Sequence, residues 1–138
     1  MKHTESKIQI ACVRWFNLQY PEIESHFFSV PNGGKRTRNL VKTKDGYKTT
    51  SIEGGILKAE GAKSGVSDLL LLIPNEEYHF LSIEMKSSSG SLSQNQRAFK
   101  HNVEKLAFGK YVICRSFDEF RNEILNYLAS TPWGKKKV

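Results

Sequence analysis

Three ionisable residues stand where the chain otherwise writes buried strands. The stretch "GVSDLLLLI" (65–73) opens an apolar run with Asp68, and "SIEMKS" (82–87) sets Glu84 and Lys86 inside another. On a strand, residues two apart share a face. Glu84 and Lys86 are therefore expected on one side, with Ile83 and Met85 on the other, in the core. If the chain turns near Asn75 and Glu76, residue 68 lies across from about residue 83. Asp68 and Glu84 then meet at the same end of two paired strands. Half-buried carboxylates are costly unless something compensates them. A divalent cation would do so, and Mg²⁺ takes one or two carboxylates, keeps several waters and draws its other ligands from substrate phosphates. An ammonium beside it could orient an attacking water or offset charge in the transition state. The plainer alternative for the same residues is a salt bridge from Lys86 to either acid on a solvent-facing strand edge.

Two further residues admit two readings each. Glu5 falls three residues before Ile8, on a stripe its helix buries. It is either an acid favoured by the first turn of the helix or a group aimed into a polar site. Gln96 fits an S-x-x-Q capping box with Ser93. Its helix directly follows the E-x-K strand, so the N-terminus falls near the same place, where free amides would favour a phosphate.

The elements that must position these residues are legible from periodicity. Residues 4–20 predict an amphipathic helix on Ile8, Ala11, Cys12, Trp15 and Phe16, closed by Pro21. "HFFSV" (26–30) predicts a strand and "PNGG" (31–34) a turn. Over 35–50, Lys35, Arg36, Arg38, Lys42, Lys44 and Lys48 face one acid, Asp45. This predicts a mobile basic loop with a small hairpin at "KDGY" (44–47). Residues 51–60 predict a short helix carrying Ile56 and Leu57 inward and ending at Gly61. The run 68–73 predicts a strand buried on both faces, and 78–87 its partner. A helix over 94–108 would bury Phe99, Val103, Leu106 and Ala107, with Gly109 at its C-cap. A strand over 110–116 follows, then a helix over 117–129 with Phe120, Ile124, Leu125 and Leu128 inward and a Ser116–Glu119 capping box. The strand, helix and strand of 78–116 suggest a parallel crossover. The sum is an α/β domain over 1–130, a mixed sheet with helices on its faces, and a basic tail over 131–138.

The chain has 138 residues, and its 21 Lys+Arg against 14 Asp+Glu leave a formal net charge of +7. That surplus favours a polyanionic partner, nucleic acid first. No apolar run approaches the roughly 18 residues of a membrane helix, and His3, Glu5, Lys7 and Gln9 interrupt any signal-peptide core. Cys12 and Cys114 lack metal-ligand spacing and read as buried thiols in a reducing cytoplasm.

The order "PNGGKR", "LKAEGAKSGVSDLLL", "IEMKSSSGSLSQNQ", "YVICRSFDEF" resembles the VRR-NUC domain family of the PD-(D/E)xK, or restriction-endonuclease-like, nucleases. The resemblance runs over nearly the whole chain. G-x-x-x-G-x-x-D reads Gly61, Gly65 and Asp68, E-x-K reads Glu84, Met85 and Lys86, and L-S-x-x-Q reads Leu92, Ser93 and Gln96. Ser67 departs from the proline often found before the aspartate, and the basic segment 35–50 is longer than in many compact members. The resemblance implies a restriction-endonuclease-like central mixed β-sheet flanked by helices and a metal-dependent nuclease. By it, Asp68 and Glu84 hold Mg²⁺ or Mn²⁺ with the backbone carbonyl of Met85, Glu5 lies close to the metal, Lys86 is the catalytic lysine, and Gln96 supports the site. Small standalone members are phage or bacterial proteins resembling Holliday-junction resolvases, which implies a homodimer acting on branched DNA. Asn32, Lys35, Arg36 and Lys63 are candidate contacts to the DNA backbone, which position DNA without reading sequence. A less selective flap or restriction-type nuclease and a catalytically silent DNA-binding module are the alternatives. The presence of Asp68, Glu84 and Lys86 together weighs against the silent module.

Overall fold

The computed structural model describes residues 2–31, 39–43, 46–50 and 52–135. Helix α1 (Lys2–Gln19) leads into a 3-10 turn, Pro21–His26, and then strand β1 (Phe27–Ser29). A hairpin, β2 (Asn39–Thr43) and β3 (Gly46–Thr50), precedes the short helix α2 (Ile52–Ala59). Strands β4 (Leu69–Leu71) and β5 (Leu81–Met85), helix α3 (Gln94–Lys105), strand β6 (Lys110–Cys114) and helix α4 (Phe117–Leu128) complete the fold.

Four strands form one mixed sheet in the order β1-β4-β5-β6. β4 is antiparallel to both β1 and β5, while β5 and β6 run parallel, joined through α3. One face of the sheet is the apolar core. Leu69, Leu71, Leu81, Ile83, Met85, Val112 and Cys114 pack there against Cys12, Phe16 and Tyr20 at α1 and Phe120, Ile124, Tyr127 and Leu128 of α4. Both cysteines are buried and free. The Phe16 and Phe27 rings stack with centroids 4.2 Å apart, and Trp15 sits edge-on to Phe117 and Phe120. The other face carries Ser82, Glu84 and Tyr111 beneath α3, whose Phe99 meets Tyr111 edge-on.

Several sequence expectations are corrected. The basic segment carries a hairpin at the place expected, with Thr43 paired to Gly46, but its strands extend well beyond 44–47 where the rest was expected as loop. Residues 39–43 and 46–50 form a regular two-stranded ladder, as their β-branched and aromatic residues favour. Asn32, Lys35, Arg36, the "NGG" of the expected turn and residues 44–45 lie outside the described residues. The run 68–73 is fully buried on one face only: on the other, Leu70 is half-buried and Leu72, just past β4, is 48% exposed, because α3 packs over β6 rather than over β4. Ile56 and Leu106 point outward. α3 stops at Lys105, and the left-handed position after it is Phe108 (φ 56°) rather than Gly109. Gly109 serves a close approach instead, since a Cβ there would lie 2.6 Å from the Phe80 ring. In α4, Tyr127 is fully buried where Leu125 was expected, and its hydroxyl donates to the Ile73 carbonyl at 2.5 Å. Glu119 accepts from the amide of Arg115 rather than Ser116, so only the Ser116 arm of that capping box closes. The expected tail begins packed, with Thr131 buried and Trp133 against the core.

The two glycines before Asp68 have different tasks. Gly61 (φ 113°) ends α2 in a Schellman motif: its N–H bonds the Lys58 carbonyl at 3.0 Å and the Ala62 N–H bonds the Leu57 carbonyl at 2.8 Å. Gly65 (φ 84°) also lets the turn meet the first residues of α3, where a Cβ would stand 2.5 Å from the Asn95 carbonyl carbon. A Cβ at Gly61 meets nothing within 4 Å. Gly61→Ala is therefore expected to cost about 1–2 kcal/mol, the left-handed penalty alone. Gly65→Ala is expected to cost about 2–4 kcal/mol, with the clash added. Urea unfolding of the two variants side by side measures the difference.

Candidate active site

Register places the acids. Leu69 pairs with Ile83, so the next step along the antiparallel ladder sets Asp68 opposite Glu84. Beyond Leu69 the β4 backbone no longer pairs with β5. The Asp68 carboxylate takes over, and its Oδ2 accepts from the Met85 N–H at 2.8 Å. The Val30 N–H donates to the Asp68 carbonyl at 3.0 Å, so β1 holds this residue from the other side.

Glu84 is 2% exposed. Its Oε2 accepts from Gln96 Nε2 at 3.0 Å, while its Oε1 is buried without a hydrogen-bond donor. Burial first, then the neighbouring Asp68 charge, push its carboxyl up to about 8; Glu5 adds to the rise and Lys86 opposes it. Two carboxylates face each other, so the pair wants either a shared proton or a cation.

Gln96 closes the capping box expected of it and also reaches Glu84. Its Oε1 accepts from the Ser93 N–H at 2.9 Å and its own N–H donates to Ser93 Oγ at 3.2 Å, closing the capping box. That leaves the amide NH₂ for Glu84. Glu5 reaches the site from α1, and its Oε2 accepts from the Ser87 N–H at 3.2 Å. Lys86 is half-buried on the Glu84 face, its backbone N–H bonded to the Cys114 carbonyl. Its ammonium forms no ion pair within 4.0 Å: among the described residues those pairs are Lys100–Glu104 and Lys110–Glu123. The salt-bridge alternative is therefore not what the structure holds. Lys63 is exposed on the turn that leads to Gly65.

Sequence reasoning missed three groups here. Arg115 Nη1 donates to the Ser87 and Gly90 carbonyls at 2.7 and 2.6 Å, clamping the turn after Lys86. Ser67, at the position where proline was expected, is fully buried and accepts from Ser82 Oγ at 2.6 Å. Tyr111 is buried near the acids, and burial and then the charges of Glu84 and Asp68 raise its phenol. None has a local signal, since each acts through a partner at least 15 residues away or on another strand.

The donor set suits a hard cation. Among the described residues no three His, Cys, Asp or Glu side chains converge as a ready cage. Two carboxylates suffice for Mg²⁺ when substrate and water complete the shell, and the donorless Glu84 Oε1 is an atom such a cation would satisfy.

A buried Glu84, a half-buried Asp68 and a lysine with no ion pair among the described residues thus stand together at the end of the mixed sheet. The VRR-NUC domain pattern matches residues 3–118, and the chain belongs to that family of nuclease domains. A solved structure described as a VRR_NUC domain protein is similar in fold, with a TM-score of 0.70 and 20% identity, over 92% of this chain and 89% of that one. No curated protein matches.

The raised Glu84 carboxyl makes stability depend on pH. Its folded pKa lies above its ordinary 4.5, so the folded state holds a proton the unfolded state has released. The stability this contributes is fully present below 4.5 and is lost as pH rises towards about 8. In EDTA, urea unfolding is expected to show a fall of roughly 2–4 kcal/mol between pH 5 and 8. Glu84→Gln is expected to flatten that profile.

Proposed function

We propose that this nuclease domain is a cation-dependent, structure-selective endodeoxyribonuclease that acts as a homodimer on branched DNA such as a four-way junction. The observation that carries the reading is the cross-strand pair of Asp68 and a desolvated Glu84 with Lys86 on the same face, its ammonium in no ion pair among the described residues.

Asp68 and Glu84 would hold Mg²⁺ or Mn²⁺, with the Met85 carbonyl as a further ligand. When bound, the cation would offset the charge of the pair, polarise a phosphate oxygen and ease deprotonation of water. The chain does the positioning. Gln96 holds one oxygen of Glu84, so its carboxylate presents the other. Glu5 and Arg115 hold the backbone at Ser87 from two sides, the N–H and the carbonyl, and so set where the preceding Lys86 projects. Lys86 donates to the attacking water or to a non-bridging phosphate oxygen. Water attacks phosphorus in line as the bond to the leaving oxygen breaks, and the ammonium offsets charge that grows in that transition state.

The surplus of positive charge supports a DNA backbone partner, with Asn32, Lys63 and, from the basic segment, Lys35 and Arg36 as contacts. The two-fold symmetry of a four-way junction matches a C₂ dimer, which would offer one site to each of two opposed strands.

A labelled four-way junction, a linear duplex and a flap, each with Mg²⁺, Mn²⁺ or EDTA, test this. Symmetric nicking of the junction in the presence of cation is expected, with a dimeric mass by light scattering. Asp68→Asn and Lys86→Ala are each expected to lose about 10²–10³-fold in rate. Cutting of all three substrates would replace the reading with a less selective nuclease. Tight binding without cutting would replace it with a binding module.

A further inference from the structure

Among the described residues, three buried side-chain atoms lack a hydrogen-bond partner: Asn17 Oδ1, Glu84 Oε1 and the Tyr111 hydroxyl. Two of them share one face of the sheet. Ser82 pairs with Tyr111 and Glu84 with Ile113 in the parallel β5–β6 ladder. Tyr111 and Glu84 are thus diagonal neighbours on adjacent strands, a spacing of about 7–8 Å between Cα atoms that long side chains span. Phe99 of α3 meets the Tyr111 ring with centroids 6.4 Å apart, and only 6% of the residue is exposed. A phenol can donate, and an ionised carboxylate only accepts. The two unpaired atoms are complementary, yet they do not bond each other directly.

A buried hydroxyl that serves only packing is disfavoured, because phenylalanine would fill the space without the unpaired oxygen. Tyr127, also buried, shows the usual solution in its bond to Ile73.

We propose that Tyr111 is a positioning residue of this site, its hydroxyl donating to an ordered water that in turn donates to Glu84 Oε1. This rests on the cation-binding reading above. The bridge would take one lone pair of Oε1 and leave the other for the cation, restraining the Glu84 carboxylate on the side Gln96 leaves free. Outer hydrogen bonds of this kind orient carboxylate ligands and raise cation affinity.

The test is Mn²⁺ affinity by calorimetry, with urea unfolding in EDTA as a second readout. Tyr111→Phe removes one oxygen and keeps the ring. It is expected to weaken Mn²⁺ binding about 10-fold or more, with an unfolding midpoint close to wild type. Tyr127→Phe, away from the acids, is expected to lower the midpoint and leave Mn²⁺ affinity unchanged. If wild type binds Mn²⁺, Asp68→Asn abolishes binding and Tyr111→Phe stays within about two-fold of wild type, the positioning role is overturned and the cation site stands. If Tyr111→Phe loses stability and affinity together, the hydroxyl is structural and the proposal falls. If wild type binds no Mn²⁺, the cation reading fails and the proposal fails with it.

Discussion

A carboxylate buried against a second carboxylate is the constraint around which this fold is arranged. Taking an ion out of water costs several kcal/mol even after relaxation, and Glu84 is buried from all sides within the sheet. Its neighbours divide the task of tolerating it. Gln96 donates one hydrogen bond, Asp68 is itself tied to the Met85 amide, and Lys86 supplies the nearest opposing charge. The arrangement depends on register. A slip of one residue between β4 and β5 would turn Glu84 into the apolar face and bring Ile83 or Met85 out under α3. The apolar face, with Leu69, Leu71, Leu81 and Ile83 fully buried, is what prevents that slip.

α3 is the second part of the device. Its N-terminus must come close to the sheet for Gln96 to reach Glu84, and Gly65 permits it by presenting no Cβ to Asn95. The Asn95 side chain then ties back to Ser64 at 2.8 Å. One glutamine therefore links helix capping to the acid pair. The ordering of that helix end and the orientation of Glu84 are coupled, because the same amide serves both.

Much of this was legible in the chain. The alternation through "SIEMKS" placed Glu84 and Lys86 on one face, and a turn near Asn75 brought Asp68 to the same end. The capping residues located α3, and the apolar runs located β5 and β6. The errors share a cause. Leu72, Ile56 and Leu106 are apolar at positions that would be buried if every sheet and helix face had a partner, but here each is exposed. Local pattern reports which residues could be covered, and tertiary packing determines which are. The left-handed Phe108 was hidden for a related reason. A glycine next to it looked like the cap, whereas that glycine, Gly109, answers to the ring of Phe80, a residue distant in sequence and close only in the fold.

By itself the sequence determined the secondary-structure order around the site, the acid pair, the lysine and the glycines, because these depend on spacing within a few residues and on period-2 alternation. Only the tertiary structure decided that Lys86 forms no ion pair among the described residues, that Arg115 clamps the turn after it, that Ser67 bonds Ser82, and that Tyr111 is buried beside Glu84. Those facts depend on desolvation and on contacts between distant segments. A residue's charge state and partners follow from what the folded chain packs around it, and no local pattern encodes that.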